Sequence, residues 1–138
     1  MLGQELEVGL TFKKDYLIKQ EHAARHVGSG NVAVLSTPSM VGFMENAAME
    51  CVKPKLAQGQ ITVGSAINIK HLCPVPTGEK LTVTAQLIDI DKEKLTFKVR
   101  AKWRNEVIGE GLHERFIVNR EKFLQKLQEK AKRVSFLT

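Results

Sequence analysis

Three polar side chains of the types that carry acid–base and nucleophilic chemistry fall among apolar neighbours: Thr37, Glu45 and His71. Placing the stretch around Glu45 on a helix at about 100° per residue puts its carboxylate between Val41, Met49, Val52 and Leu56. Burial there disfavours the ionised form, so the group needs a hydrogen-bond donor, an exit to a lysine at an edge, or a task as base or nucleophile. Along residues 61–72 the apolar residues Ile61, Val63, Ile67 and Ile69 recur with period two, and His71 continues that series, which predicts an inward imidazole. Such a histidine serves either as a satisfied core residue or as a proton carrier. Thr37 stands at a helix start, where its hydroxyl can cap or react. The free N–H groups and positive dipole end there suit a developing oxyanion or a phosphate.

The elements that must position these residues follow from pattern. Thr37-Pro38 predicts a helix beginning near Ser36 or Thr37, and Pro54 ends it just after Val52. Met40, Val41, Phe43, Met44, Ala47, Ala48, Met49, Cys51 and Val52 cover most of its circumference, leaving Gly42, Asn46, Glu50 and Lys53 as a narrow polar sector. A short helix so apolar should be wrapped by other structure. Four strand candidates at 61–72, 81–90, 95–103 and 107–118 supply the wrapping, joined by connections short enough for hairpins. In the third, Leu95, Phe97, Val99, Ala101 and Trp103 alternate with Thr96, Lys98, Arg100 and Lys102, the mark of an antiparallel sheet with one wet face. Short strand material is expected at 7–12 and 16–18, and a loop or lid at 26–31. An amphipathic closing helix with Phe123, Leu124 and Leu127 on one side should follow Asn119 as its cap. The implied class is α+β, a long antiparallel sheet wrapped around one central helix with a C-terminal helix added: the hotdog arrangement.

A chain of 138 residues with 43% hydrophobic content suits a single domain over 1–138. No apolar run approaches the roughly 20 residues of a membrane span, and the N-terminus is charged throughout, so a cytoplasmic protein without a membrane partner is expected. Cys51 and Cys73 have no CxxC or histidine-rich surroundings and read as free thiols. The net charge of +6 fits an enzyme that attracts an anionic substrate. One Trp and one Tyr make no stacking platform, so nucleic acid is not expected. Gly64 interrupts a β-branched strand and implies a close approach of helix or ligand. In the last strand His113 and Glu114 read as structural and Arg115 as an anion contact, with no metal site.

The runs Thr37-Pro38-Ser39-Met40-Val41-Gly42-Phe43-Met44-Glu45, Gly64 through Lys70-His71, and Gly109-Glu110-Gly111-Leu112-His113-Glu114-Arg115 together resemble the fluoroacetyl-CoA thioesterase-like family over roughly residues 32–126. The resemblance implies a hotdog homodimer that hydrolyses short acyl thioesters of coenzyme A. It implies no cofactor beyond the coenzyme A of the substrate. The family's catalytic Thr, Glu and His fall on Thr37, Glu45 and His71. Its glycine near the thioester carbonyl falls on Gly64 and its active-site arginine on Arg115, and Val41 and Asn68 are expected to shape the pocket. Where the fluoroacetyl-specific enzyme carries aromatic residues in a lid, this chain has Gly28-Ser29-Gly30-Asn31, so the resemblance does not extend to the lid. An enoyl-CoA hydratase and a non-catalytic acyl-CoA binding or sensing module are the alternatives for the same fold.

Overall fold

The computed structural model describes residues 6–28 and 30–137, with side chains described as far as residue 133. Its elements are β1 (Thr11–Leu17), a short helix α1 (Ala24–Val27), the long helix α2 (Thr37–Val52), β2 (Gln60–His71), β3 (Lys80–Asp91), β4 (Lys94–Trp103), β5 (Glu106–Asn119) and α3 (Arg120–Leu137). The strands form one antiparallel sheet in the order β1-β3-β4-β5-β2. This is the hotdog arrangement that the pattern of one helix and four long strands predicts, with β1 and β2 at the two edges.

The alternation in β3 and β4 decides which face carries the helix. Leu81, Val83, Ala85 and Leu87, with Leu95, Phe97, Val99 and Ala101, are fully buried, and Met40, Met44, Ala47, Ala48, Cys51 and Val52 of α2 meet them. Burying each of the larger of these side chains contributes about 1.5–3 kcal/mol, and most of the helix's stability comes from that packing. The cover is incomplete: Val41, Glu45 and Met49, one turn apart along α2, remain only half-buried. A helix apolar nearly all round is therefore only half wrapped by its own chain.

The helix starts one residue earlier in its capping than Thr37-Pro38 suggests. Ser36 is the N-cap, its Oγ accepting from the Ser39 N–H at 3.1 Å, and Pro38 sits in the first turn where no N–H is required. Thr37 is thereby released from capping. At the other end the chain tightens into a single 3-10 turn over Lys53–Lys55, since Pro54 cannot continue the helical hydrogen bonds.

One irregularity corrects the face assignment in β2. The β2–β5 register shifts between Gly64 and Ala66, so Ser65 is an extra residue without a partner. Before it Thr62 and Gly64 pair with Ile117 and Arg115; after it Ile67, Ile69 and His71 pair with His113, Gly111 and Gly109. Those partners share one side of β5, so Thr62 and Gly64 are in phase with His71. Ile61 and Val63, grouped with His71 by simple alternation, lie on the other side, because a bulge inverts the period-two rule beyond it.

The hairpin between β4 and β5 turns on Arg104 (φ 50) and Asn105 (φ 65), a pair of left-handed residues that matches the twist of the flanking strands. Asn119 caps α3 through its Oδ1, which accepts from the Lys122 N–H at 3.0 Å. The expected apolar stripe of α3 exists but is uncovered in this chain: Phe123, Leu124 and Leu127 are all exposed.

Glycine is required at 111. A Cβ built there would collide with the Asn68 carbonyl oxygen and lie 2.6 Å from the Ile69 Cα, both atoms of β2 backbone. Gly111→Ala is expected to lower the unfolding free energy by about 2–3 kcal/mol, read from a urea titration of variant and wild type.

Candidate active site

Two clusters of polar groups occupy the helix side of the sheet. The first joins the start of α2 to the end of β2. With Ser36 holding the cap, the Thr37 Oγ1 lies 2.7 Å from Nδ1 of His71. The pair borders a cleft of about 250 Å³ walled by Val34, Leu35, Leu72 and Pro74. Burial pushes the His71 imidazole below its ordinary pKa, and a backbone hydrogen bond at Cys73 opposes that only in part. A neutral ring can exchange a proton with the threonine hydroxyl on one nitrogen and with a second group on the other. The second nitrogen, Nε2, is buried and has no hydrogen-bond partner among the described residues. A buried polar atom left unpaired costs about 1–3 kcal/mol, so a ligand or a second chain that engages it binds with that much in its favour.

The second cluster lies further along α2 and β2. The side chain of Arg115 is buried, and its nitrogens are held on three sides. Nε donates to Thr62 Oγ1 at 2.8 Å, Nη2 to the Thr62 carbonyl at 3.0 Å, and Nη1 lies 3.1 Å from Nε2 of His113. The Nδ1 of His113 is 2.8 Å from the Ala66 carbonyl, which can only accept. Nδ1 therefore carries the proton and Nε2 accepts from the guanidinium, which fixes the tautomer. Burial lowers the pKa of His113, with Arg115 adding to the effect and Glu45 opposing it. Burial likewise draws Arg115 below its ordinary range, against the pull of Glu45.

Glu45 and Gly64 complete this cluster. A Cβ on Gly64 would stand 3.1 Å from Glu45 Oε2, 3.4 Å from Arg115 Nη1 and 3.4 Å from His113 Cε1. The glycine thus leaves open a small space bounded by a carboxylate, a guanidinium and an imidazole edge. The close approach that its place in a strand implies is to a carboxylate side chain. Val41, one turn before Glu45, is half-buried on the same side of α2. Asn68 is exposed and pairs with Leu112, out of phase with His71 on β2, so its side chain belongs to the other face of the sheet.

The fold of the chain brings Thr37 to His71, and Glu45 to Gly64, Arg115 and His113. It does not bring the two groups together, because Thr37 and Glu45 are eight residues apart on one helix, about 12 Å along its axis. Sequence reasoning took His113 as structural and passed over Thr62. The alternation of β5 shows that His113 and Arg115 share a face, whereas the bulge hides Thr62. Among the described residues no three His, Cys, Asp or Glu side chains gather to hold a metal ion.

Comparisons with known proteins place the chain as a whole. The model of the fluoroacetyl-CoA-specific thioesterase family matches residues 18–121. The chain belongs to that family. Fluoroacetyl-CoA thioesterase of Streptantibioticus cattleyicolor is 34% identical over 131 residues, 91% of this chain and 94% of that protein. The crystal structure of the fluoroacetyl-CoA thioesterase FlK superposes with a TM-score of 0.84 at 33% identity, over 92% of this chain and 98% of that one. A Thermus thermophilus hypothetical protein of the thioesterase superfamily has a TM-score of 0.87 at 23% identity over 96% of this chain and 98% of its own, a likeness of fold. As a member of the fluoroacetyl-CoA-specific thioesterase family the chain is a thioester hydrolase. Among the described residues no helix is long and apolar enough to cross a membrane.

The tautomer of His113 generates a pH test. Its folded pKa lies below the ordinary imidazole value of about 6.5, so below that pH the unfolded chain binds protons that the native state refuses. Stability is complete above about pH 6.5 and falls as pH drops through the folded value. Denaturant unfolding at pH 7.5 and pH 5 should show this loss, and His113→Gln should reduce it. His71, shifted in the same direction, retains the remainder.

Proposed function

We propose that this protein hydrolyses a short-chain acyl-CoA thioester to the free acid and coenzyme A. Glu45 acts as nucleophile or general base, Thr37 orients the reacting groups and His71 transfers protons. The observation that carries the reading is the space at Gly64, which sets the Glu45 carboxylate beside a buried guanidinium with room for a small carbonyl carbon. Relatives support the substrate class, since variants of FlK were crystallised with acetyl-CoA and with fluoroacetate and CoA. Attack on the carbonyl by water, whose proton passes to Glu45, or by the carboxylate itself forms the C–O bond, and collapse of the tetrahedral centre breaks C–S; on the carboxylate route water then cleaves the Glu45 acyl anhydride to release the acid. Arg115 and backbone N–H groups at the start of α2 lower the energy of the oxyanion, and His71 protonates the departing thiolate. An anionic substrate suits a chain with a net charge of +6.

The 12 Å between Thr37 and Glu45 suggests how the site is completed. We infer a homodimer in which the open side of α2 and the free edge of β2 meet their copies about a two-fold axis. Each site then takes Thr37 and His71 from one protomer and Glu45 from its partner. Half-buried Val41 and Met49, uncovered in one chain, become interface there, and the unpartnered Nε2 of His71 gains a polar neighbour.

Thiol release from short acyl-CoAs, corrected for the protein's own cysteines, tests the chemistry. Glu45→Gln should lower kcat by about 10²–10⁴-fold. Retention of the full rate refutes Glu45, and absence of thiol with any acyl-CoA favours a hydratase or a binding module. The shared site has its own check. Mixing and refolding inactive Glu45→Gln with inactive His71→Ala should recover about a quarter of the wild-type rate, because half the dimers are mixed and one of their two sites is intact. No recovery means each site lies within one chain.

A further inference from the structure

The face of the sheet turned away from α2 carries a concentration of cations that the hydrolytic site does not use. Along β4 the residues between the buried ones, Lys98, Arg100 and Lys102, point outward at intervals of about 6.6 Å. The strand register sets Lys13 beside Thr84 and Thr84 beside Arg100, and Arg104 in the following turn closes one end. Together they line a groove of about 430 Å³.

Like charges at neighbouring sheet positions destabilise the fold unless something offsets them. Here the offset is incomplete. Arg100 pairs with Glu110 at 3.1 Å and Arg104 with Glu79 at 3.0 Å. Among the described residues no carboxylate comes within ion-pair distance of Lys13, Lys98 or Lys102. In addition, the Nε of Arg100 is buried and has no acceptor among the described residues. A buried guanidinium nitrogen without an acceptor, between lysines without counter-charges, is a place prepared for an anion.

We propose that this groove is a second ligand site, for a small phosphate-rich anion of the nucleotide polyphosphate class. Phosphate oxygens match both the fork of an arginine and the point charges of the lysines, and the Thr84 hydroxyl adds a neutral donor. The volume is that of a small-molecule site. No aromatic ring lines the groove, so the bases of a single-stranded nucleic acid would find nothing to stack on. The site is distinct from the hydrolytic one, because the sheet itself lies between the groove and Thr37, Glu45 and His71. The ligand is therefore a separate molecule, either a free nucleoside triphosphate or a free coenzyme A bound through its own nucleotide phosphates.

Calorimetric titration of the full chain at low salt with inorganic tripolyphosphate, ATP and free coenzyme A tests this. Tripolyphosphate and ATP should bind, with affinity falling as salt is raised. The double variant Lys13→Ala/Lys98→Ala should bind each at least about tenfold more weakly, since two charge-assisted contacts are lost. Lys13→Arg/Lys98→Arg should retain binding, which separates lost charge from a disturbed fold. If coenzyme A loses affinity in the alanine variant in parallel with ATP, it is a ligand of the groove; if only ATP and tripolyphosphate do, the ligand is a free nucleotide. No heat from any of the three, or undiminished binding in the alanine variant, overturns the proposal.

Discussion

A guanidinium buried beneath the central helix organises this protein. Removing a cation from water costs several kcal/mol unless its hydrogen-bonding sites are filled, and every group near Arg115 meets that demand. Thr62 takes two of its donors, one through the side chain and one through the backbone carbonyl. His113 takes a third, and can do so only as the neutral tautomer that the Ala66 carbonyl selects. Glu45, on the opposing helix, supplies the negative charge that favours the arginine's ionised form. The carboxylate, the open space at Gly64 and the cation thus make a single arrangement in which each part makes another tolerable.

That arrangement depends on one extra residue. Without Ser65 in the bulge, β2 would present the same parity along its length, and Thr62 and Gly64 could not share a face with His71. The bulge lets one strand serve two clusters: its first half holds the arginine and makes room for the carboxylate, and its last residue reaches the threonine at the helix start. The shift of capping from Thr37 to Ser36 is a similar local choice. Two adjacent hydroxyl residues divide two tasks, one closing the helix and the other meeting the imidazole.

The two faces of the sheet have separate electrostatic characters. Facing the helix, the charged groups at the site are the buried Arg115 and the half-buried Glu45. Facing away, Lys13 of β1 and the cations of β4 and its following turn line a groove in which, among the described residues, only Arg100 and Arg104 are paired to carboxylates. The excess of basic residues in the composition is thus not spread evenly, and part of it lies on the far side of the sheet from Thr37, Glu45 and His71.

Much of this was legible in the residues themselves. Period-two alternation in β4 and the wide apolar arc of α2 require a sheet and an enclosed helix, because no other pairing buries both surfaces. A carboxylate within that arc and a histidine continuing an inward series mark themselves as anomalies, since burying either needs a reason. Other features are properties of contacts between distant segments. Alternation carries no sign of a bulge, so the faces of Ile61, Val63, Thr62 and Gly64 were decided only when β2 took its register against β5. Capping depends on which of two neighbouring hydroxyls turns toward the helix, and that followed from His71 arriving beside Thr37. Thr62, which takes two of the guanidinium's donors, lies 53 positions from Arg115, and local pattern cannot express such a distance. Chain chemistry determined which residues could react; strand register and helix docking decided which of them meet.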